Sequence, residues 1–148
     1  MTAPGRPLGV VDYCHTPDAV QKALESLRPV AQARGGRLIT VIGAGGNRDH
    51  GKRPIMGRIA AEYSDEVIVT SDNPRFEDPA EIARAVAEGA GCPRVVLDRA
   101  EAIREAVAGA DGKDVILVAG KGHEDYQEVK GVKHHFSDAE ALRAAFAA

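Results

Sequence analysis

Short apolar runs alternate with helix-length amphipathic segments along the chain, and this alternation constrains the fold more than any other feature. Strand-like runs occur at 8–13, 37–43, 66–70, 94–98 and 114–120. Their continuous Val, Ile and Leu content is typical of strands buried on both faces of a parallel sheet. The order predicts an α/β fold, a three-layer Rossmann-like sandwich with a mostly parallel sheet of about six strands. Residues 126–136 could form a C-terminal hairpin that turns at Lys130-Gly131.

The predicted helices begin at recognisable N-terminal signals. Thr16-Pro17 supplies an N-cap and a first-turn proline before an apolar stripe. We expect Pro54 to begin the second helix, with Ile55 and Ile59 facing inward. Capping-box patterns, in which an acidic residue takes the third helical position, occur after Asp78, Asp98 and Ser137.

Length and composition limit the classes of protein that this chain can represent. Its 148 residues fit one domain, 1–148, and the net charge of −3 gives no electrostatic argument for binding nucleic acid. Three Tyr, three Phe and no Trp also argue against a base-stacking surface. No apolar stretch approaches the roughly 18 residues that a membrane span needs, and the two cysteines show no metal-ligand spacing. We therefore expect a soluble, cytoplasmic protein with no metal site of its own and no nucleic-acid or membrane partner.

Polar residues follow four of the predicted strands at the point where each one ends. Right-handed crossovers place such exits along one edge of a parallel sheet, where α/β proteins usually bind ligands. Asp12 and His15 follow the first strand, and a glycine-rich loop that carries Arg48 follows the second. This loop lacks the spacing of a P-loop and the G-x-G-x-x-G fingerprint, although its charge favours an anionic group.

The exits after the third and fifth strands carry the more specific signals. In "TSDNPRFEDP" (70–79), Arg75 can hold a carboxylate through two parallel hydrogen bonds, while Asp72 and Asn73 can accept hydrogen bonds from an ammonium group. In "GKGHEDYQ" (120–127), glycines bracket a lysine and a histidine-carboxylate run follows. This combination predicts a pocket for a zwitterionic ligand.

Four segments together identify a family. "DYCHTPDA", "GGNRDHGKRPIMGRIA", "VTSDNPRFEDP" and "VILVAGKGHEDYQ" occur in this order and closely resemble the C-terminal domain of the Mur ligases. The similarity is greatest to the members that add meso-diaminopimelate to UDP-MurNAc-L-Ala-D-Glu. In those members a D-N-P-R segment marks the use of diaminopimelate in place of lysine.

The resemblance implies a role for each candidate residue. The amino-acid pocket would comprise Arg48, Asp72, Asn73, Arg75, Gly120 and Glu124. Asp12 and His15 would lie beside ATP, and His123 is the candidate for a catalytic base. Arg75 would reject lysine, because lysine would leave a buried guanidinium unpaired.

The resemblance also implies parts that this sequence lacks. The family's uridine-nucleotide domain and central ATPase domain, which mainly holds ATP and Mg²⁺, would precede residue 1. We therefore expect the 148 residues to fold without catalysing ligation alone. The residues themselves leave two other interpretations open: a free-standing α/β module that binds a nucleotide or amino acid, and a Rossmann-type oxidoreductase. The missing glycine fingerprint counts against the oxidoreductase.

Overall fold

The structure is a computed structural model that describes residues 5–46, 50–91 and 93–148. Its elements follow in the order β1 (Leu8–Asp12), α1 (Pro17–Arg34), β2 (Leu38–Ile42), α2 (Lys52–Tyr63), β3 (Glu66–Val69), α3 (Pro79–Ala90), β4 (Arg94–Val95), α4 (Arg99–Ala108), β5 (Val115–Ala119), β6 (Tyr126–Val129), β7 (Val132–His135) and α5 (Asp138–Ala147). No helix among these residues is both long and apolar enough to cross a bilayer.

A five-stranded parallel sheet with the order β1-β5-β2-β3-β4 forms the middle layer. Helices α1, α2 and α3 cover one face, and α4 and α5 cover the other. The two central strands, β2 and β5, are buried along their whole length, which explains their uninterrupted apolar sequences. The predicted three-layer α/β architecture is confirmed.

The C-terminal hairpin forms a sheet of its own instead of a sixth strand of the main sheet. Strands β6 and β7 pair antiparallel, from Tyr126 opposite His135 to Val129 opposite Val132. The two turn residues Lys130 and Gly131 both have positive φ, at 52° and 79°, as two-residue hairpin turns of the primed type require. The predicted turn position is therefore confirmed.

Two expectations about burial were wrong. Strand β4 covers only two residues, both exposed, because it lies at the edge of the sheet. Helix α2 begins at Lys52 instead of Pro54, and Ile55 is 40% exposed. The helix buries a face that includes Met56 and Gly57, since a Cβ atom on Gly57 would lie 1.9 Å from the carbonyl oxygen of Val86 in α3. Helices α2 and α3 contact each other closely, and this contact leaves Ile55 outside the core. The spacing of apolar residues in the sequence does not describe such a contact.

The remaining helix starts agree with their sequence signals. The Thr16 hydroxyl accepts a hydrogen bond from the amide of Ala19, and the Asp98 carboxylate accepts one from Glu101. Asp78 and Ser137 cap α3 and α5 in the same way. These caps fix the points at which the chain leaves the carboxyl edge of the sheet.

Candidate functional site

A cavity of about 330 Å³ opens at the carboxyl edge of the sheet. Its walls come from the loops that follow β1, β2, β3 and β5 and from the start of α2. The predicted site residues that line it are His15, Asp72, Asn73, Arg75, Gly120 and Glu124. The fold thus brings a guanidinium, two carboxylates and an imidazole from three separate loops to one cavity.

Among the described residues, the predicted site residues Asp12 and His123 do not line the cavity. Asp12 is half-buried at the end of β1, and its carboxylate accepts a hydrogen bond of 2.9 Å from the amide of Cys14. His123 is exposed in the turn after β5. Arg48 lies outside the residues that the structure describes. The roles of these three residues stay predictions.

The Cys14 thiol next to Asp12 is buried and is unsuited to act as a nucleophile. Cys14 is 3% exposed, and burial, together with the charge and hydrogen bond of Asp12, raises the pKa of the thiol to about 12. The thiol therefore remains protonated near neutral pH and packs with the core on the α1 side of the sheet.

Asn73 organises the floor of the cavity through both ends of its side-chain amide. Its Oδ1 accepts hydrogen bonds from Lys121 Nζ at 2.8 Å and from the amide of Glu128 at 2.9 Å. Its Nδ2 donates to Glu124 Oε1 at 3.4 Å. Because Asn73 is only 4% exposed, these partners supply the hydrogen bonds that water cannot give its buried amide.

Arg75 projects to the cavity from a strained backbone position. Its φ is 53°, a left-handed value that is uncommon for residues other than glycine. Its Nη1 donates to the carbonyl oxygens of Gly46 at 2.9 Å and Asn73 at 3.4 Å, and its Nε lies 3.7 Å from Glu128 Oε1. The protein itself contacts this guanidinium, so the expectation that lysine would leave it unpaired was too simple.

Lys121 is the residue that sequence reasoning missed. Its side chain is fully buried, and its Nζ contacts Asp72, Asn73, Glu124 and the carbonyl oxygen of Tyr126. A signal was present, because the lysine comes two residues after the end of a strand with no exposed residue and lies between two glycines that cannot cover it. Gly120 is required here, since its φ is 118° and a Cβ atom would lie 2.8 Å from Asp72 Oδ2.

The wall formed by α2 carries a second buried cation. Arg53 is 5% exposed and donates two hydrogen bonds to the carboxylate of Glu77, at 3.1 and 2.8 Å. It also donates to the carbonyl oxygen of Gly45, whereas its Nε has no hydrogen-bond partner among the described residues. Arg53 thus links the loop after β2 to the loop after β3.

The rim near α1 presents an aromatic pair. The rings of Tyr13 and His15 lie 4.6 Å apart at a tilt of 60°, and Tyr13 is 54% exposed. His15 Nδ1 is 2.8 Å from the carbonyl oxygen of Tyr13; because a carbonyl only accepts, Nδ1 carries the proton. Within the described ranges, no group of three or more His, Cys, Asp or Glu residues could hold a metal ion.

A family model for the Mur ligase, glutamate ligase domain matches residues 2–122. The chain belongs to the Mur ligase family. A relative in Acidovorax sp. (strain JS42), named UDP-N-acetylmuramoyl-L-alanyl-D-glutamate–2,6-diaminopimelate ligase, is 56% identical over 99% of this chain and 30% of its own length. This Mur ligase chain therefore spans about a third of the length of that curated relative.

Solved structures show the same relationship. One with the same ligase name superposes with a TM-score of 0.86 at 41% identity, over 99% of this chain and 32% of the other. A bifunctional folylpolyglutamate synthase/dihydrofolate synthase from Yersinia pestis, complexed with AMPPNP and Mn ion, gives a TM-score of 0.60 at 26% identity, over 81% of this chain and 27% of that one. The Mur ligase domain fold, with its parallel sheet and terminal hairpin, is thereby confirmed.

Proposed function

We propose that this chain is the amino-acid-binding domain of an ATP-dependent ligase that joins meso-diaminopimelate to UDP-MurNAc-L-Ala-D-Glu. The relative and the solved structure that share this ligase name support the proposal, and both align over 99% of the chain. The observation that carries it is the cavity, in which Arg75, Asp72 and Glu124 face one space. A guanidinium beside carboxylates suits a ligand end that carries both an acid and an amine.

The geometry supports a division of roles within the cavity. Arg75, oriented by two carbonyl oxygens and by Glu128, would hold the distal carboxylate of diaminopimelate. Asp72 and Glu124 would accept hydrogen bonds from its ammonium group. When diaminopimelate is held at its distal end, its reacting amine has a fixed orientation. The attack of this amine then becomes nearly unimolecular instead of bimolecular.

The ligation itself would use ATP bound at the carboxyl edge of the sheet, beside the cavity. The γ-phosphoryl group moves from ATP to the side-chain carboxylate of the dipeptide's D-glutamate, and the diaminopimelate amine then displaces phosphate to form the amide. A divalent ion, Mg²⁺ in this proposal, would shield the phosphate charge when bound. His15 and Asp12 at the end of β1 are proposed to contact the nucleotide, with Asp12 near its ribose.

Binding measurements on this chain test the proposal. We expect calorimetry to show a lower Kd for meso-diaminopimelate than for lysine, and R75A to abolish that preference because the carboxylate loses its cation. R84A is the matched control, since Arg84 is an exposed arginine on α3 whose acidic partner is Glu81. Equal affinity of the wild type for the two amino acids would refute the proposal.

An activity measurement tests the division of labour between this domain and the rest of the ligase. The chain spans 30% of the relative that carries the ligase name. We therefore expect these 148 residues by themselves to bind the amino acid without forming an amide. ATP-dependent amide formation by the 148 residues alone would contradict this expectation.

A further inference from the structure

Lys121 occupies a position under the cavity that the proposed binding roles do not use. Its side chain has no solvent exposure, and its Nζ lies 3.1 Å from Asp72 Oδ1 and 3.6 Å from Glu124 Oε1. The two carboxylates that face the ligand space therefore share one buried ammonium group. Asp72 Oδ1 makes no hydrogen bond within the described part of the chain, so the attraction to Lys121 is the contact that compensates its burial.

Among the described residues, three neighbouring arginines each lie against an acidic side chain, whereas Lys52 on the cavity wall is exposed to solvent. Arg99 is bound by both oxygens of Asp138, Arg53 by both oxygens of Glu77, and Arg75 lies beside Glu128. These three pairs are each formally neutral. At the floor of the cavity, the described residues Asp72, Glu124 and Lys121 thus leave a surplus of one negative charge.

We propose that Lys121 is a specificity-determining residue, because its ammonium cancels one of the two floor carboxylates and thereby matches the floor to a single ligand ammonium beside Arg75. This inference rests on the proposed function. The distal end of diaminopimelate is a neutral pair of one ammonium and one carboxylate, whereas the distal end of lysine is a bare cation. A floor with two uncompensated carboxylates would attract the bare cation more strongly and repel the carboxylate.

Lys121 acts through Asp72, Asn73 and Glu124 and does not line the cavity itself. A purely structural role would predict that its loss weakens the binding of both amino acids alike. The charge role predicts a change in their ratio. The ratio of the Kd for lysine to the Kd for meso-diaminopimelate therefore separates the two roles.

The experiment measures this ratio by calorimetry in wild type, K121M, K133M and the double variant D72N/K121M. Lys133 is the matched control, since its Nζ lies over the Tyr126 ring at 4.5 Å, as that of Lys121 does at 5.7 Å, but Lys133 is exposed on β7. We expect K121M to lower the ratio by about tenfold or more and K133M to leave it near the wild-type value. The double variant removes one cation and one anion, and both amino acids lose the Asp72 acceptor alike, so we expect its ratio, though not its individual Kd values, to return toward that of the wild type.

The double variant also keeps the test decisive where K121M fails to fold, because it leaves no unpaired carboxylate at position 72. A folded K121M with the wild-type ratio would overturn the inference, as would a double variant that is unfolded or unselective. Either result would leave the proposed function intact, since the wild type would still prefer meso-diaminopimelate. A wild type without that preference would overturn the proposed function and this inference with it.

Discussion

At the scale of single residues, the ion pair between Arg99 and Asp138 is the most consequential contact outside the cavity. Arg99 donates to both oxygens of Asp138 at 2.7 and 2.8 Å, and to the carbonyl oxygens of Ser71 and Ala119 at 3.0 Å each. Burial disfavours the charged guanidinium, but Asp138 outweighs this effect and the pKa of Arg99 is raised. The pair joins α4 and α5 to the ends of β3 and β5, directly behind the site.

Removing one partner of this pair should cost more stability than removing both. We expect R99M to lower the free energy of unfolding by about 3–5 kcal/mol, because Asp138 would remain buried without a counter-charge. The double variant R99M/D138L should recover a large part of that loss. Urea denaturation followed by circular dichroism measures both effects.

The exposed pair of Arg84 and Glu81 on α3 provides the control. We expect R84A to change stability by less than about 1 kcal/mol, since solvent screens such pairs. A loss in R99M no larger than that in R84A would contradict the account of Arg99.

The sequence contained part of the information about Arg99. The N-cap at Asp98 that begins α4 was correctly predicted, and Arg99 lies three and four residues before Ala102 and Ile103, which are both buried. Residues at that spacing share one face of a helix. The partner could not be predicted, because Asp138 lies on another helix and only the packed structure brings the two together.

At the scale of elements, the hairpin β6–β7 supports the cavity without joining the main sheet. The amide of Arg75 donates to the carbonyl oxygen of Glu128, and Lys130 donates to that of Arg75. Gln127 Nε2 adds hydrogen bonds to the carbonyl oxygen of Asp72 at 2.7 Å and to Ser71 Oγ at 3.1 Å. The hairpin thus holds the segment 71–75 from behind, although it lies beyond the residues that the family model matches.

Loss of the Gln127 amide should loosen this support. We expect Q127A to lower the free energy of unfolding by about 1–2 kcal/mol, since the buried groups of residues 71 and 72 would lose their donor. Q32A on the exposed surface of α1 is the matched control and should be nearly neutral. Chemical denaturation compares the two, and an equal effect would show that the hairpin contact contributes nothing.

The elements were predicted correctly where one signal, an apolar run or an N-cap, determines the structure. They were predicted incompletely where burial also depends on the neighbouring element. The central strands and the capped helix starts follow from apolar runs and N-caps. The exposed Ile55 and the two-residue β4 show the limit, because burial there depends on which neighbour packs against each element. The same limit kept the fully buried Lys121 out of the predicted site.

At the scale of the whole molecule, the order of the strands in the sheet brings the residues of the site together. Strand β5 lies between β1 and β2, so the last parallel strand of the chain enters the middle of the sheet. Its exit carries Gly120 and Lys121 to the loop that holds Asp72 and Asn73. Local sequence patterns do not encode this order, although they predicted that polar residues after the third and fifth strands would form one pocket.

Two carboxylates with lowered pKa values, Asp65 and Asp114, lie at the end of the sheet opposite the cavity. Asp65 accepts hydrogen bonds from both Nη atoms of Arg28 and from the amide of Leu38, and Arg28 chiefly lowers its pKa. Burial favours the neutral form of Asp114, but hydrogen bonds from the amides of Arg37 and Asp111 outweigh it and lower the pKa of this carboxyl too. Both groups therefore bind protons less readily in the folded chain than in the unfolded chain.

A lowered folded pKa stabilises the fold above the unfolded carboxyl pKa of about 3.9 and loses that effect as pH falls through the lower folded value. We expect wild-type stability to decrease from about pH 5 downward. The double variant D65N/D114N should be less stable than wild type at pH 7, and the difference should shrink toward pH 2. D18N supplies the control, since Asp18 lies in an exposed pair with Lys22, and its curve should run parallel to that of the wild type. A difference between wild type and D65N/D114N that stays constant from pH 7 to pH 2 would show that these two carboxylates do not govern the acid sensitivity.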